Sequence, residues 1–154
     1  MNRIKTIGLL FLITICIIGL IHSKDKKELG NIQETEDAQT KIVLYYPNQS
    51  TGELTKEYRN VKLKDIQENM YQTILEELLK GPNNNELKSR IPQGTKVEDV
   101  KCEASKIIVS FSKEFIENED NEIEKWQKIY SVVNSLTEIN EIDKVEIDVD
   151  GKLY

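Results

Sequence analysis

The chain has 154 residues, a length that suits one folded domain with an ordinary hydrophobic core. Its 27 acidic residues outnumber 21 Lys and Arg residues, and the net charge of −6 makes it a poor electrostatic partner for nucleic acid. The two cysteines and single histidine argue against a disulfide framework and against most histidine-based acid–base or metal chemistry.

The first feature along the chain is an uncharged apolar run, IGLLFLITICIIGLI, at residues 7–21. It is intermediate in length between the apolar core of a signal peptide and a membrane-spanning helix. Arg3 and Lys5 precede it, and further lysines follow it from position 24, so cationic side chains at both ends can reach the lipid headgroups. We therefore predict that residues 1–22 form an uncleaved membrane anchor, with the folded domain outside the cytoplasm.

Two other fates of this segment remain open. Cleavage by signal peptidase needs small residues before the cut, and the end of the apolar run offers no good pair. Lipoprotein processing would modify Cys16, but Ile15 stands where a small residue is expected, so this fate is less favoured. His22 is predicted to lie at the membrane exit, and the polar residues 23–40 are predicted to form a tether.

The domain is predicted to span residues 41–154 and to open with a strand at residues 42–46. Turn-forming residues 47–52 lead to a second strand over residues 53–63. A helix follows, with Asp65 as its N-cap and Glu68 completing a capping box, and it ends at Gly81-Pro82. Its apolar residues recur with helical spacing at Ile66, Met70, Tyr71, Ile74, Leu75, Leu78 and Leu79.

The second half repeats this alternation of strands and helix. A turn at residues 91–94 introduces strands at 97–102 and 107–111, and Val145, Ile147 and Val149 form a closing strand. Between them, Ser112 or Asn118 could cap a second helix. Its predicted core stripe is Ile123, Trp126, Ile129, Tyr130, Val133 and Leu136. The predicted fold is α+β: a β-β-α-β-β-α-β sandwich with two helices packed on one face of a small mixed sheet.

No residue set in the chain has the pattern of a catalytic, cofactor or metal site, and none is predicted. Cys102 has no histidine partner in the domain and is predicted to be a buried strand thiol. The acidic run at residues 117–122 lacks the register of a calcium loop and is predicted to be a solvated helix start. Glu76 and Glu77 are adjacent and so face different directions, and Trp126 is predicted to lie in the core.

Several segments, in their order and spacing, resemble the GerMN domain family, which is named for sporulation and germination. They are the strand at 42–46, the helix end Leu78–Pro82, the loop at 90–97, the segment at 109–115, the helix end at 135–138 and the last strand through Gly151. The resemblance implies a small α/β module of envelope proteins, several of them lipoproteins or single-span proteins. Such modules are similar to the ring-building domains of secretion-type complexes.

The resemblance favours a membrane-anchored, non-enzymatic interaction domain that associates with itself or with other envelope proteins. An alternative is an extracytoplasmic domain that binds a cell-wall fragment or small solute. A cell-wall enzyme is the least favoured hypothesis, because no nucleophile–base pair is visible. The sheet face that the helices leave uncovered is predicted to carry Val43, Tyr45 and Tyr58.

Overall fold

The computed structural model describes residues 38–117 and 121–154. The predicted anchor at residues 7–21, Cys16, His22, nearly all of the tether and the candidate cap Asn118 lie outside this described part. Within it, no helix is both long and apolar enough to cross a bilayer.

The described residues form six strands and two α-helices in the predicted order, with one added strand at the end. The strands are β1 Gln39–Pro47, β2 Leu54–Lys62, β3 Val97–Glu103, β4 Lys106–Phe111, β5 Lys144–Val149 and β6 Lys152–Leu153. The helices are α1 Leu63–Leu79 and α2 Glu122–Thr137, and a 3-10 turn covers Lys113–Ile116. The α+β fold class is confirmed.

The strands are divided between two sheets. β1 and β2 form an antiparallel hairpin, whereas the second sheet has the order β3-β4-β5-β6. Its β4 and β5 are parallel, and α2 lies in the crossover between them, as a parallel connection requires. The mixed sheet is therefore the four-stranded one, and the opening hairpin stands apart from it.

The core lies where the helices meet the strands. Both helices contact β1, while α1 also contacts β3 and α2 also contacts β5. Phe111 and Phe115 stack with ring centroids 4.5 Å apart, and Tyr154 meets Phe115 edge-on at 5.6 Å. The largest fully buried aliphatic side chains are Leu44, Leu75, Leu78, Ile107, Val109, Val132 and Leu136.

Helix α1 buries part of the predicted stripe and does not begin as predicted: Met70 is 38% exposed, and Ile66, Tyr71 and Leu79 are half-buried. Ile74, Leu75 and Leu78 are buried. The helix starts after Lys62 without a side-chain cap, so the predicted Asp65 capping box is wrong. The backbone leaves helical geometry at Asn69, with φ −150° and ψ 70°, which divides the helix into two parts.

The predicted chain reversals are confirmed. Gly81 has φ +83° and donates its N–H to the Leu78 carbonyl at 3.1 Å, as a glycine at a helix end does. Asp150 and Gly151 have φ of 52° and 75°, the left-handed pair that joins hairpin strands, here β5 and β6. β6 was not predicted, because two residues are too few to show a pattern.

Candidate functional site

The structure corrects the prediction for Cys102. The residue lies on β3 and is exposed, not buried in the core. Its Sγ is 3.6 Å from the Tyr71 hydroxyl, and no imidazole is present among the residues described. No side chain of β3 is fully buried, so a position on a strand and the usual burial of free cysteine do not place Cys102 in the core.

The acidic residues form no shared site in the described part of the chain. Residues 38–117 and 121–154 contain no group of three metal-ligating side chains. Glu77 contacts Arg59 at 3.3 Å, whereas Glu76 accepts a hydrogen bond from Gln72, so these adjacent carboxylates have separate partners, as predicted. Asn121 caps α2 by accepting the Ile123 N–H, and residues 118–120 of the acidic run lie outside the described residues.

Helix α2 buries a different face from the one that the sequence predicted. Ile123, Trp126 and Tyr130 belong to the predicted core stripe, yet they are 67%, 50% and 47% exposed. The buried positions are Lys128, Ser131, Val132, Ser135 and Leu136. Only Leu136 belongs to both sets, and the prediction that Trp126 lies in the core is wrong.

The buried face of α2 is polar because the helix lies along the outer edge of β1. Backbone groups at such an edge need hydrogen-bond partners. The Ser135 hydroxyl accepts the Tyr45 N–H at 3.0 Å and donates to the Ser131 carbonyl at 2.7 Å. The buried Lys128 donates to the Phe115 carbonyl and lies 4.5 Å from that ring. Because this face points inward, Ile123, Trp126 and Tyr130 on the opposite side of the helix face solvent.

The exposed stripe of α2 is a candidate interaction surface, which we call the aromatic face: Ile123, Trp126 and Tyr130. The Trp126 and Tyr130 rings have centroids 5.9 Å apart. Single exposed apolar side chains are common, but a row of them along one helix is a feature of interaction sites.

The outer side of the β1–β2 hairpin carries a second exposed surface, which we call the tyrosine–lysine face: Val43, Tyr45, Lys56 and Tyr58. Val43 pairs across the strands with Tyr58, and Tyr45 pairs with Lys56. Tyr58 is 62% exposed, whereas Val43 and Tyr45 are half-buried and the Tyr45 hydroxyl bonds to Glu138 at the end of α2, so the predicted uncovered side is confirmed at Tyr58 only. The ammonium group of Lys56 lies 5.4 Å from the Tyr45 ring. Its hydrogen bond to Glu138 raises the pKa of Lys56 and lowers the pKa of Glu138.

The sequence prediction missed a buried ion pair on the inner side of β2. Glu57 and Arg59 are 9% and 8% exposed, and their charged atoms are 2.5 Å apart. Arg59 also donates to the carbonyls of Glu77 and Gly81, at 2.6 and 2.7 Å, and Glu57 accepts the N–H groups of residues 83 and 84. The network ties β2 to the end of α1, which is a structural role.

A strict two-residue alternation would have revealed this pair. Glu57, Arg59 and Val61 alternate along one side of β2, which is the inner side because Val61 is buried there.

An open cleft of about 610 Å³ lies between α1 and β3. Residues 66–72 of α1, including the kink at Asn69, form one wall, and residues 98–100 of β3 form the other. Glu141 also lines it. Apolar and acidic side chains are mixed in this lining, and no basic side chain is among them.

The fold and these surfaces define a GerMN-type α+β domain. The chain belongs to the family described as Germane, sporulation and spore germination, which matches residues 43–154. No curated protein matches the sequence.

Three solved structures share the fold. The tandem GerMN domains of the sporulation protein GerM from Bacillus subtilis match with a TM-score of 0.62 and 18% identity, over 75% of this chain and 40% of that one. The first GerMN domain of the same protein matches with a TM-score of 0.56 and 20% identity, over 75% of this chain and 86% of that one. A candidate lipoprotein of Clostridium perfringens matches with a TM-score of 0.51 and 21% identity, over 75% of this chain and 77% of that one. At these identities the likeness establishes the fold alone, and the chain spans less than half of the tandem-domain structure.

Proposed function

We propose that this protein is a membrane-anchored, non-enzymatic interaction domain of the cell envelope that acts in sporulation or germination and assembles with further copies of itself. The family description supports the process. The observation that carries the assembly is the aromatic face, because α2 leaves Ile123, Trp126 and Tyr130 in solvent while its buried face combines Val132 and Leu136 with two serines and a lysine.

The proposed occupant of the aromatic face is the tyrosine–lysine face of a second copy. Both surfaces offer aromatic rings, which favour contact with one another. Lys56 beside the tyrosines already pairs with Glu138, and Glu124 beside Ile123 already pairs with Arg90, so charge adds little to the match. The proposed complementarity is therefore apolar and aromatic.

Because the two surfaces differ, their contact is heterologous. Each pair of copies therefore still has one aromatic face and one tyrosine–lysine face free. Such contacts continue from copy to copy and close into a ring when the rotation allows. Three side chains on one surface and four on the other supply only part of the roughly 800 Å² per partner that a stable interface buries. The isolated domain should therefore be monomeric in dilute solution, and the predicted anchor at residues 7–21 would raise the effective concentration by confining copies to the membrane.

Site-specific photo-cross-linking of the full chain in its own membranes tests this proposal. A photoreactive phenylalanine analogue at position 126 should form a dimer adduct whose second site maps to the tyrosine–lysine face. The same analogue at position 76, an exposed position on α1, serves as the control and should give no such adduct. Absence of a dimer adduct from position 126, or adducts only with lipid, would contradict assembly through the aromatic face.

A second candidate function is supported by the cleft between α1 and β3. Its volume falls within the roughly 300–1,000 Å³ of small-molecule sites, so a cell-wall fragment or small solute would fit there. Equilibrium dialysis with soluble cell-wall fragments tests this candidate, and it should be dropped if none is retained by the full chain.

A further inference from the structure

We propose that the cleft between α1 and the outer edge of β3 binds an extended basic peptide of a partner protein, which pairs with β3 as an added strand. This inference is independent of the proposed self-assembly, since it uses another part of the molecule. It rests on three observations: a strand edge that no described element covers, an apolar wall opposite that edge, and an acidic lining.

The edge of β3 is accessible from the cleft. Residues 98, 99 and 100 all line it, although the side chains of consecutive strand residues point to opposite faces. Three consecutive residues can line one cleft where a bulge, here between Val97 and Asp99, breaks the alternation of side chains and where their backbone edge borders the cleft. In the described part of the chain, β3 pairs with β4 alone. An unpaired edge presents the N–H and C=O groups that an added peptide strand uses.

The edge of β1 shows how this fold covers an edge that is not used. There α2 lies alongside the strand, and Ser135 accepts the Tyr45 N–H. At β3 the neighbouring helix α1 contacts the strand, with the Tyr71 hydroxyl 3.6 Å from the Cys102 Sγ, and the cleft opens between residues 66–72 of the helix and residues 98–100 of the strand. The register also shifts between Val97 and Asp99, so the ladder with β4 is interrupted beside the cleft.

The kinked helix supplies the opposite wall. At the kink the Asp65 carbonyl accepts the Thr73 hydroxyl at 3.1 Å, a contact across eight residues that a straight helix does not make. Ile66 and Met70, on either side of the kink, line the cleft with Val100. A strand lying in the cleft would place alternate side chains against these apolar residues.

The charge of the lining selects a cationic occupant. Its four carboxylates are those of Glu68, Glu98, Asp99 and Glu141. Two of them have exposed lysine partners, Asp99 in Lys101 at 2.7 Å and Glu68 in Lys64 at 3.8 Å, and exposed pairs of this kind contribute little and exchange readily. The same charges repel an anionic solute and a second copy of β3, which is itself acidic. A strand carrying Lys or Arg on one face and small apolar residues on the other complements both walls.

The test uses the full chain in detergent micelles and a fluorescent, end-capped peptide of alternating lysine and valine, with the same seven-residue length as β3. Fluorescence anisotropy should show saturable binding of this peptide and none of the glutamate–valine analogue. The double variant Glu98→Lys/Glu141→Lys should weaken binding by at least about tenfold. The matched control is Glu53→Lys/Glu86→Lys, which makes the same change in net charge at two exposed positions away from the cleft.

A second peptide separates strand pairing from charge attraction. It has the same side chains but carries a methyl group on every backbone nitrogen, so it cannot donate the hydrogen bonds of a sheet. The proposal expects this peptide to bind at least about tenfold more weakly. Equal binding of the methylated peptide, equal losses in the two double variants, or no binding of the lysine–valine peptide would each overturn the proposal.

Discussion

The two helices carry apolar residues at the same spacing, yet α1 buries three of its seven predicted stripe residues, whereas α2 buries one of six and exposes three. The difference lies in what each helix covers. The buried part of α1, at Ile74, Leu75 and Leu78, faces the apolar core, whereas α2 lies along the edge of β1 and must satisfy backbone groups there. Hydrophobic periodicity identifies the residues that share a helix face, but it does not identify what lies against that face.

The comparison separates residues that hold the fold from residues available for contact. The stripe of α1 should matter for stability and not for assembly, and the aromatic face of α2 should show the reverse. The following predictions are arranged from the largest expected effect to the smallest.

The largest effect should come from core leucines on both helices. Leu78 and Leu136 are fully buried, so Leu78→Ala and Leu136→Ala should each lower the free energy of unfolding by about 2–5 kcal/mol. Ile123→Ala, on the aromatic face, should change it by no more than about 0.5 kcal/mol. Urea denaturation of the three variants measures this, and a large loss for Ile123→Ala would mean that α2 is turned the other way.

The buried ion pair should give a pH-dependent effect. Burial alone would raise the pKa of Glu57, but the N–H of Asn84, the Arg59 guanidinium and the N–H of Asn83 outweigh it and lower that pKa. A lowered carboxylate pKa adds stability above its unfolded value of about 4.3, and this stability is lost as the pH falls through the folded value.

Glu57→Gln should therefore lower the free energy of unfolding by about 1–3 kcal/mol at neutral pH. This gap in stability between the variant and the parent protein should narrow below about pH 4. Thermal melts across this pH range measure the gap. Glu53→Gln, at an exposed position, is the control and should show no gap at any pH. A constant gap for Glu57→Gln would show that its charge is not what stabilises the fold.

The packing of α2 against the outer edge of β1 should depend on the hydroxyl of Ser135. Ser135→Ala leaves the Tyr45 N–H without its partner and should cost about 1–3 kcal/mol. Thr137→Ala removes a hydroxyl that bonds only within α2, to the Val133 carbonyl at 3.0 Å, and should cost about 0.5 kcal/mol or less. Equal unfolding free energies for the two variants would remove the explanation given for the polar face of α2.

Cys102 should have the smallest effect on stability. Because its side chain is exposed, Cys102→Ser should change the free energy of unfolding by no more than about 0.5 kcal/mol. In a Cys16→Ser background the native protein should also react with a thiol reagent as fast as the urea-unfolded protein does. Strong protection of the native thiol would show that Cys102 is buried, as the sequence predicted.

The sequence was sufficient to predict the α+β order, the turns at Gly81 and Gly151 and the core stripe of α1, because each depends on local chemistry. It was insufficient where the partner of an element matters. The face of α2, the position of Cys102 and the inner side of β2 all depend on which strand edge is covered and which is open. The serine pair at 131 and 135, beside Val132 and Leu136, was a signal for the buried face that the predicted apolar stripe did not include.

The kink in α1 could also not be predicted from the local sequence pattern. Asp65 and Glu68 have the spacing of a capping box, yet the helix begins at Leu63 and changes direction at Asn69. A sequence pattern cannot choose between two possible starts that lie a few residues apart when later packing determines which one forms.

The most direct test of the central claim uses the intrinsic fluorescence of Trp126, since this is the only tryptophan in the chain. In dilute detergent solution the full chain should show the red-shifted emission of a water-exposed indole and strong quenching by acrylamide. In vesicles at increasing copy density, the emission should shift to the blue and quenching should fall, and Tyr58→Ala should reduce both changes. Blue-shifted, unquenched emission already in dilute solution, or quenching that is independent of copy density, would contradict assembly through the aromatic face.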